Sequence, residues 1–269
     1  MINIFLNHFA AIIDRTTYEE INKSSFLRDN FCHCKEKTHS DEKRSWTGFY
    51  MTGENTYLEI FNYKDQKSLY SSKISNIGIG LSVDHKDEIE KITEILKQKF
   101  PENITYGIQE KNIVNKLVKW FYYVEIPDNS IESPQLNTWV MAYHKDYIFK
   151  LNRENITRKE YNQEYNAVQY DKNKLFKDIK EITLLLNEEA KIKLTKIFIS
   201  LGYNPEETQY YTIFIGPEIK FKVIISKDHT CRILNLQMSL NKKISSAKTY
   251  TLGNSSLTLE NQTARWEFK

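Results

Sequence analysis

Cysteine is scarce: the chain has three in 269 residues. That is an odd number and too few for a disulfide framework, which points to a reducing, cytoplasmic location. Five prolines and eight glycines exclude collagen-like and low-complexity chains. No run approaches the ~18 apolar residues of a membrane span, so no membrane partner is expected. The segment Met1 to Phe9 has no cationic start, and Asn7, His8 and Asp14 break its apolar run, so no signal peptide is expected. Arginine is short as well: of 38 cations only 7 are Arg, and 35 acids leave a net charge of +3. Nucleic-acid sites favour the planar fork of Arg, so a small Lys-dominated excess reads as solvated surface, with no nucleic-acid partner.

Aromatic residues, in contrast, are plentiful: 4 Trp, 17 Tyr and 14 Phe within a composition that is 40% hydrophobic. That is enough to build a core and excludes a disordered chain. The length allows one large domain or two ordinary ones.

Hydrophobic periodicity gives one order of elements three times. Ile4 to Ile13 reads as a strand, Thr17 to Leu27 as a helix capped by Thr16 or Thr17, and Phe31 to Lys37 as an extended piece. Trp46 to Met51 and Thr56 to Asn62 follow as strands around a Gly53-Glu54-Asn55 turn. The second copy runs Ile77 to Val83, a helix from Lys86 to Phe100 capped by Asp84 and stopped by Pro101, then Ile104 to Ile108, Trp120 to Val124 and Thr138 to Tyr143. The third runs Ile179 to Leu186, a helix from Glu188 to Leu201 between an Asn187 cap and Gly202, then Tyr210 to Ile215, Ile219 to Ile225 and Ile233 to Leu240. Thr249 to Leu252, Leu257 to Leu259 and Ala264 to Phe268 add an antiparallel tail. The reading is an α+β fold of repeated β-α-β-β-β modules. Residues 1–150 form a pair with a curved mixed sheet, 151–173 a polar linker, and 174–269 a third module with its tail. A lone module leaves a sheet face and an edge needing cover, so the third is expected to dock on the first pair or to form a homodimer.

Paired β-α-β-β-β modules resemble the vicinal oxygen chelate superfamily, the glyoxalase, bleomycin-resistance and extradiol-dioxygenase group. The resemblance rests on Leu6-Asn7-His8-Phe9, on Gly53 to Phe61 and on Ile77-Gly78-Ile79-Gly80-Leu81. With Asn137 to His144 added, these stretches also resemble a bacterial family of glyoxalase-like proteins with no assigned function. The resemblance implies a cavity in the curved sheet, holding a small molecule and in some members one divalent metal. By position, His8 and Glu59 match expected ligands. The second module departs from the pattern, since Ile79, Gly80 and Leu81 cannot bind metal and Ala142 stands opposite Glu59. His144, two residues on, is the candidate substitute. His8, Glu59 and His144 together would suit Fe, Mn or Zn. Tyr57, Trp120, Tyr122 and Trp139 are the candidate aromatic lining of the cavity. Three functions follow: a metal-free binder that sequesters a small ligand, which the missing ligands favour; a metal-dependent glyoxalase- or dioxygenase-like enzyme; and a protein-interaction module on the same scaffold.

Other motifs carry less. Cys32-His33-Cys34 with His39 lacks the spacing of a structural zinc site. Gly78-Ile79-Gly80 is no dinucleotide fingerprint, because its glycines fall inside a strand, where glycine marks a bend or a close backbone approach. Lys111 to Lys119 reads as a solvated loop, and there is neither a G-x-S-x-G elbow nor a phosphate loop.

Overall fold

Alternating side chains build the same unit three times. In the computed structural model, which describes residues 2–40, 45–62, 76–113, 116–127, 135–150, 170–227 and 230–269, the first module runs β1 (Phe5–Ile13), α1 (Arg15–Lys23), a π-helical turn (Leu27–Phe31), β2 (His33–Ser40), β3 (Ser45–Thr52) and β4 (Tyr57–Asn62). The second runs β5 (Ile77–Ser82), α2 (Lys86–Lys99), β6 (Thr105–Ile113), β7 (Lys116–Ile126) and β8 (Leu136–Tyr143), followed by the short α3 (Lys145–Lys150). The third runs β9 (Phe176–Leu186), α4 (Glu188–Ser200), β10 (Asn204–Glu207), β11 (Thr212–Gly216) and β12 (Ile219–Ile225), and a long hairpin of β13 (Arg232–Leu252) and β14 (Ser255–Phe268) ends it. In every module the first and last strands pair in parallel. The fold is α+β, as the periodicity predicts.

Two sheets result. β1 and β5 pair antiparallel and join the first two modules into eight strands ordered β2-β3-β4-β1-β5-β8-β7-β6. The other sheet has six, ordered β10-β11-β12-β9-β13-β14, so β13 takes beside β9 the place that β5 takes beside β1. Helices α1, α2 and α4 lie between the sheets: α1 touches β4 and β13, α2 touches β7, β8 and α4, and α4 touches β9 and β12. One continuous core joins Phe9, Ile79, Ile89, Phe198, Phe221 and Trp266. The other face of the eight-stranded sheet is free of these three helices; among the described residues only the short α3 reaches it, where Tyr147 packs with Val118, Met141 and Tyr143.

The third module docks within the chain. Asp178 on β9 is buried, and its carboxylate accepts from the Asn55 amide (3.1 Å), the Thr56 amide (2.9 Å), the Thr56 hydroxyl (2.7 Å) and the Asn55 side chain. Burial pushes this carboxyl above its usual range, and the donors from Asn55 and Thr56 oppose the shift. The Tyr203 hydroxyl donates to the Ile4 carbonyl (3.1 Å), and the Asn254 amide donates to the Thr17 hydroxyl (2.9 Å).

Several boundaries differ from expectation for local reasons. Asp14, rather than Thr16 or Thr17, caps α1 by accepting from the Thr17 amide (3.0 Å). His85, rather than Asp84, starts α2, because Glu88 reaches back to its amide (3.1 Å). Asn187 caps α4 as expected, accepting from the Ala190 amide (2.8 Å), and Gly202 follows at φ +83°. The tail segments merge into one hairpin, since two register shifts carry the polar stretch after Ser239 within β13. β10 escapes a pattern reading because all four of its residues are exposed. The expected loop at Lys111 to Lys119 is instead part of the β6–β7 hairpin, whose residues 114–115 lie outside the described ones. The expected linker lies outside them over residues 151–169. Among the described residues, no helix is long and apolar enough to cross a membrane.

Candidate functional site on the helix-free face

Strand parity sorts the eight-stranded sheet into two faces. A register shift between Leu6 and His8 keeps Leu6 and Phe9 in the core and turns His8, Ala10 and Ile12 to the helix-free face. On β4, Leu58 and Ile60 face the core, so Tyr57, Glu59 and Phe61 face away. The register then sets residues side by side in rows. One reads Thr52, Tyr57, His8, Gly80, Trp139, and the next reads Lys35, Tyr50, Glu59, Ala10, Gly78, Asn137. His8 and Glu59 therefore share a face in adjacent rows, with no hydrogen bond between them among the described residues.

The His8 ring lies flat on Tyr57 (4.5 Å between centroids, 12°) and tilts against Trp139 (5.1 Å, 60°). Glycine makes room for it. A Cβ at Gly80 would stand 2.7 Å from His8 Nδ1 and 2.9 Å from Nε2, and one at Gly78 would stand 3.2 Å from the Trp139 ring. The Gly-x-Gly of β5 is thus the close approach the sequence suggests. His8 is 7% exposed, and its Nδ1–H donates to the Asn7 side-chain oxygen (2.8 Å), which leaves the Nε2 lone pair with no protein partner among the described residues. Burial drives its pKa down to about 3, so the ring is neutral. Glu59 moves the other way: burial raises it to about 7, against the opposing pull of the Tyr57 hydroxyl and Lys37. Tyr50, its row neighbour, is raised first by burial and then by the Glu59 charge.

The second module supplies an aromatic wall. A register shift between Gln109 and Glu110 leaves Trp120 without a partner in the β6–β7 register, and Trp120 and Phe121 both pack with Val118, Met141, Tyr143, Tyr147 and Trp139. Tyr57, Trp120 and Trp139 all lie on the helix-free side. Tyr122 does not; it is core, on the α2 side, with Lys86 5.6 Å over its ring. His144 follows it there, 4.7 Å from the Tyr122 ring, and its Nδ1 accepts from the Asp146 amide (3.1 Å). The reason is parity, since His144 shares the face of Ala142, which is core. His144 thus points away from His8 and Glu59. Among the described residues, no three His, Cys, Asp or Glu side chains gather as metal ligands. The residues that sequence reasoning missed are Lys37, Tyr50 and Lys111. Alternation along β2 could have flagged Lys37, but β2 reads only as an extended piece.

Two β-α-β-β-β modules closing one curved sheet around a polar and aromatic face define a scaffold class. The chain belongs to the family of unknown function DUF5829, whose model matches residues 6–268. A crystal structure of a hypothetical protein from Staphylococcus aureus has the same fold, with a TM-score of 0.55 and 13% identity over 96% of this chain and 98% of that one. A mutant of 4-hydroxymandelate synthase from Streptomyces coelicolor aligns at TM-score 0.43 and 9% identity over 87% and 70% of the two chains. A xylose isomerase-like TIM barrel/4-hydroxyphenylpyruvate dioxygenase fusion protein aligns at 0.45 and 12%, over 84% and 32%. A search of the curated proteins finds no significant match.

Proposed function

We propose that the chain is a small-molecule-binding protein of the glyoxalase and bleomycin-resistance type, which holds its ligand on the helix-free face between His8, Tyr57 and Trp139. The supporting observation is the His8 ring: buried, neutral, flanked by two aromatic rings, and presenting an Nε2 acceptor with no described protein partner. The ring is buried while Nε2 itself stays open to solvent, and such an acceptor between two aromatic rings suits a ligand donor. A divalent metal fits the described residues poorly. Such sites take three or more protein donors, whereas His8 and Glu59 are two and His144 points elsewhere. A second reading has its own observation: Glu59, poised near pH 7, suits proton transfer to and from a bound ligand.

Titrating planar aromatic compounds against tryptophan fluorescence, with and without chelator, tests the proposal. The expected result is saturable binding unchanged by chelator and lost in His8→Ala. Binding that appears only with added Zn(II), Mn(II) or Fe(II), or that survives His8→Ala intact, would overturn it.

A further inference from the structure

The two central strands of the eight-stranded sheet, β1 and β5, are almost wholly apolar, and the exceptions touch one another. Asn7, His8 and Ser82 are their only polar side chains, and all three are buried. The β1–β5 register pairs Leu6 with Leu81 and His8 with Gly80, so Asn7 is the extra residue of a β-bulge. Its amide nitrogen faces the Ser82 hydroxyl oxygen (3.5 Å), and its amide oxygen lies on His8 Nδ1 (2.8 Å). The polar contacts therefore run from Ser82 through Asn7 to His8. They end at Nε2, on the helix-free face beside Tyr57 and Trp139.

Burying an amide in the middle of a sheet costs stability that an apolar side chain would not, so packing alone gives no reason for Asn7. The neutral His8 ring carries one N–H, and the place of that proton decides whether the open nitrogen accepts or donates. With the Asn7 oxygen on Nδ1, the proton is held there and Nε2 is left as an acceptor. We propose that Asn7 is a positioning residue of the ligand site, and that the tautomer it fixes selects flat aromatic ligands with an O–H or N–H at the ring edge. The inference rests on the reading of this face as a ligand site and adds the chemical class of the ligand: phenols and N–H heteroaromatics. A carboxylate or ketone oxygen would meet the Nε2 lone pair with a lone pair of its own. The rings of Tyr57 and Trp139 offer the same stacking to every flat ligand, so discrimination falls to the hydrogen bond.

The test compares 6-hydroxyquinoline with its methyl ether, 6-methoxyquinoline, by calorimetry. Proton–nitrogen correlation spectra of the imidazole rings, assigned with His8→Ala, read the His8 tautomer alongside. Wild-type protein is expected to show an unprotonated Nε2 and to bind the phenol about tenfold more tightly, the size of one hydrogen bond. Asn7→Leu should move the proton to Nε2 and abolish the preference. Asn7→Asp, whose carboxylate also accepts from Nδ1–H, should restore both. An Asn7→Leu variant that weakens both probes alike and keeps the tautomer would overturn the positioning role, as would an Nε2–H in wild-type protein. If wild-type protein binds phenol and ether equally, the ligand class is wrong while the face remains a ligand site. If neither probe binds at millimolar concentration, both readings fall. Should Asn7→Leu fail to fold, the wild-type tautomer and the phenol-over-ether ratio still decide.

Discussion

Where β1 sets His8 beside Tyr57, and β4 carries Glu59 two residues further on, the third module sets Glu181 beside Lys220 and carries Lys222. The match is set by register, since both parallel pairs end five residues beyond these positions. Yet the surroundings diverge. Glu181 accepts from the Gln237 side chain (3.4 Å), the buried Thr183 meets Asn235 (3.3 Å), and Arg265 pairs with Glu267 (2.9 Å), an ordinary polar sheet surface. The partner strands make the difference. Beyond β1 the sheet continues into β5 and β8, where Gly78, Gly80 and Trp139 extend the two rows on this face. Beyond β9 the sheet continues into the β13–β14 hairpin instead of a second module. One backbone unit thus carries the candidate site where a second copy is joined to it and serves as a buttress where a hairpin replaces the copy.

The largest effect should come from undoing the buttress. Asp178→Ala strands the Asn55 and Thr56 donors in the buried seam, and chemical denaturation should show a loss of about 3 kcal/mol or more. A smaller loss would mean that the hairpin contacts alone hold the halves together. Gly80→Ala attacks the candidate site instead. Its methyl would collide with His8, so a cost of about 1–3 kcal/mol is expected together with loss of aromatic-ligand binding.

Glu59→Gln sharpens the contrast through pH. Folding raises the Glu59 pKa from 4.5 to about 7, so the folded state binds the extra proton between those values, and its contribution to stability falls as pH rises through that window. Relative to wild type, the glutamine variant should gain about 3 kcal/mol between pH 4.5 and 8, read from denaturation midpoints. His8 has the opposite sign. Its pKa falls from 6.5 to about 3, so its contribution is present above 6.5 and lost as pH drops toward 3. The smallest effect should be at the matching positions of the third module. Glu181→Gln with Lys220→Gln should change stability by less than about 0.5 kcal/mol and leave ligand affinity untouched. A larger change would break the comparison.

Much of this was legible in the sequence. The threefold element order, the Asn187 cap and the Gly78–Gly80 close approach follow from alternation, capping chemistry and glycine's missing Cβ. The shared face of His8 and Glu59 is what the resemblance to paired β-α-β-β-β modules implies, and the register of β1 with β4 bears it out. What the sequence hid depends on irregularity or on distance. The shift at Leu6–His8 and the extra residue at Trp120 change parity locally, and no pattern announces them. His144 looked like a replacement ligand because it shares the face of Ala142, but the same parity carries it into the α2 side.

The central claim is that ligand binds the helix-free face of the paired modules and not the third module. The indole N–H resonances of Trp120, Trp139 and Trp266, assigned through single Trp→Phe variants, test it directly during a titration with 6-hydroxyquinoline. Trp120 and Trp139 lie on the candidate site, and Trp266 is fully buried in the third module's core. The account predicts saturable shifts of the first two with Trp266 unmoved; a saturable shift of Trp266 while Trp120 and Trp139 stay fixed would contradict it.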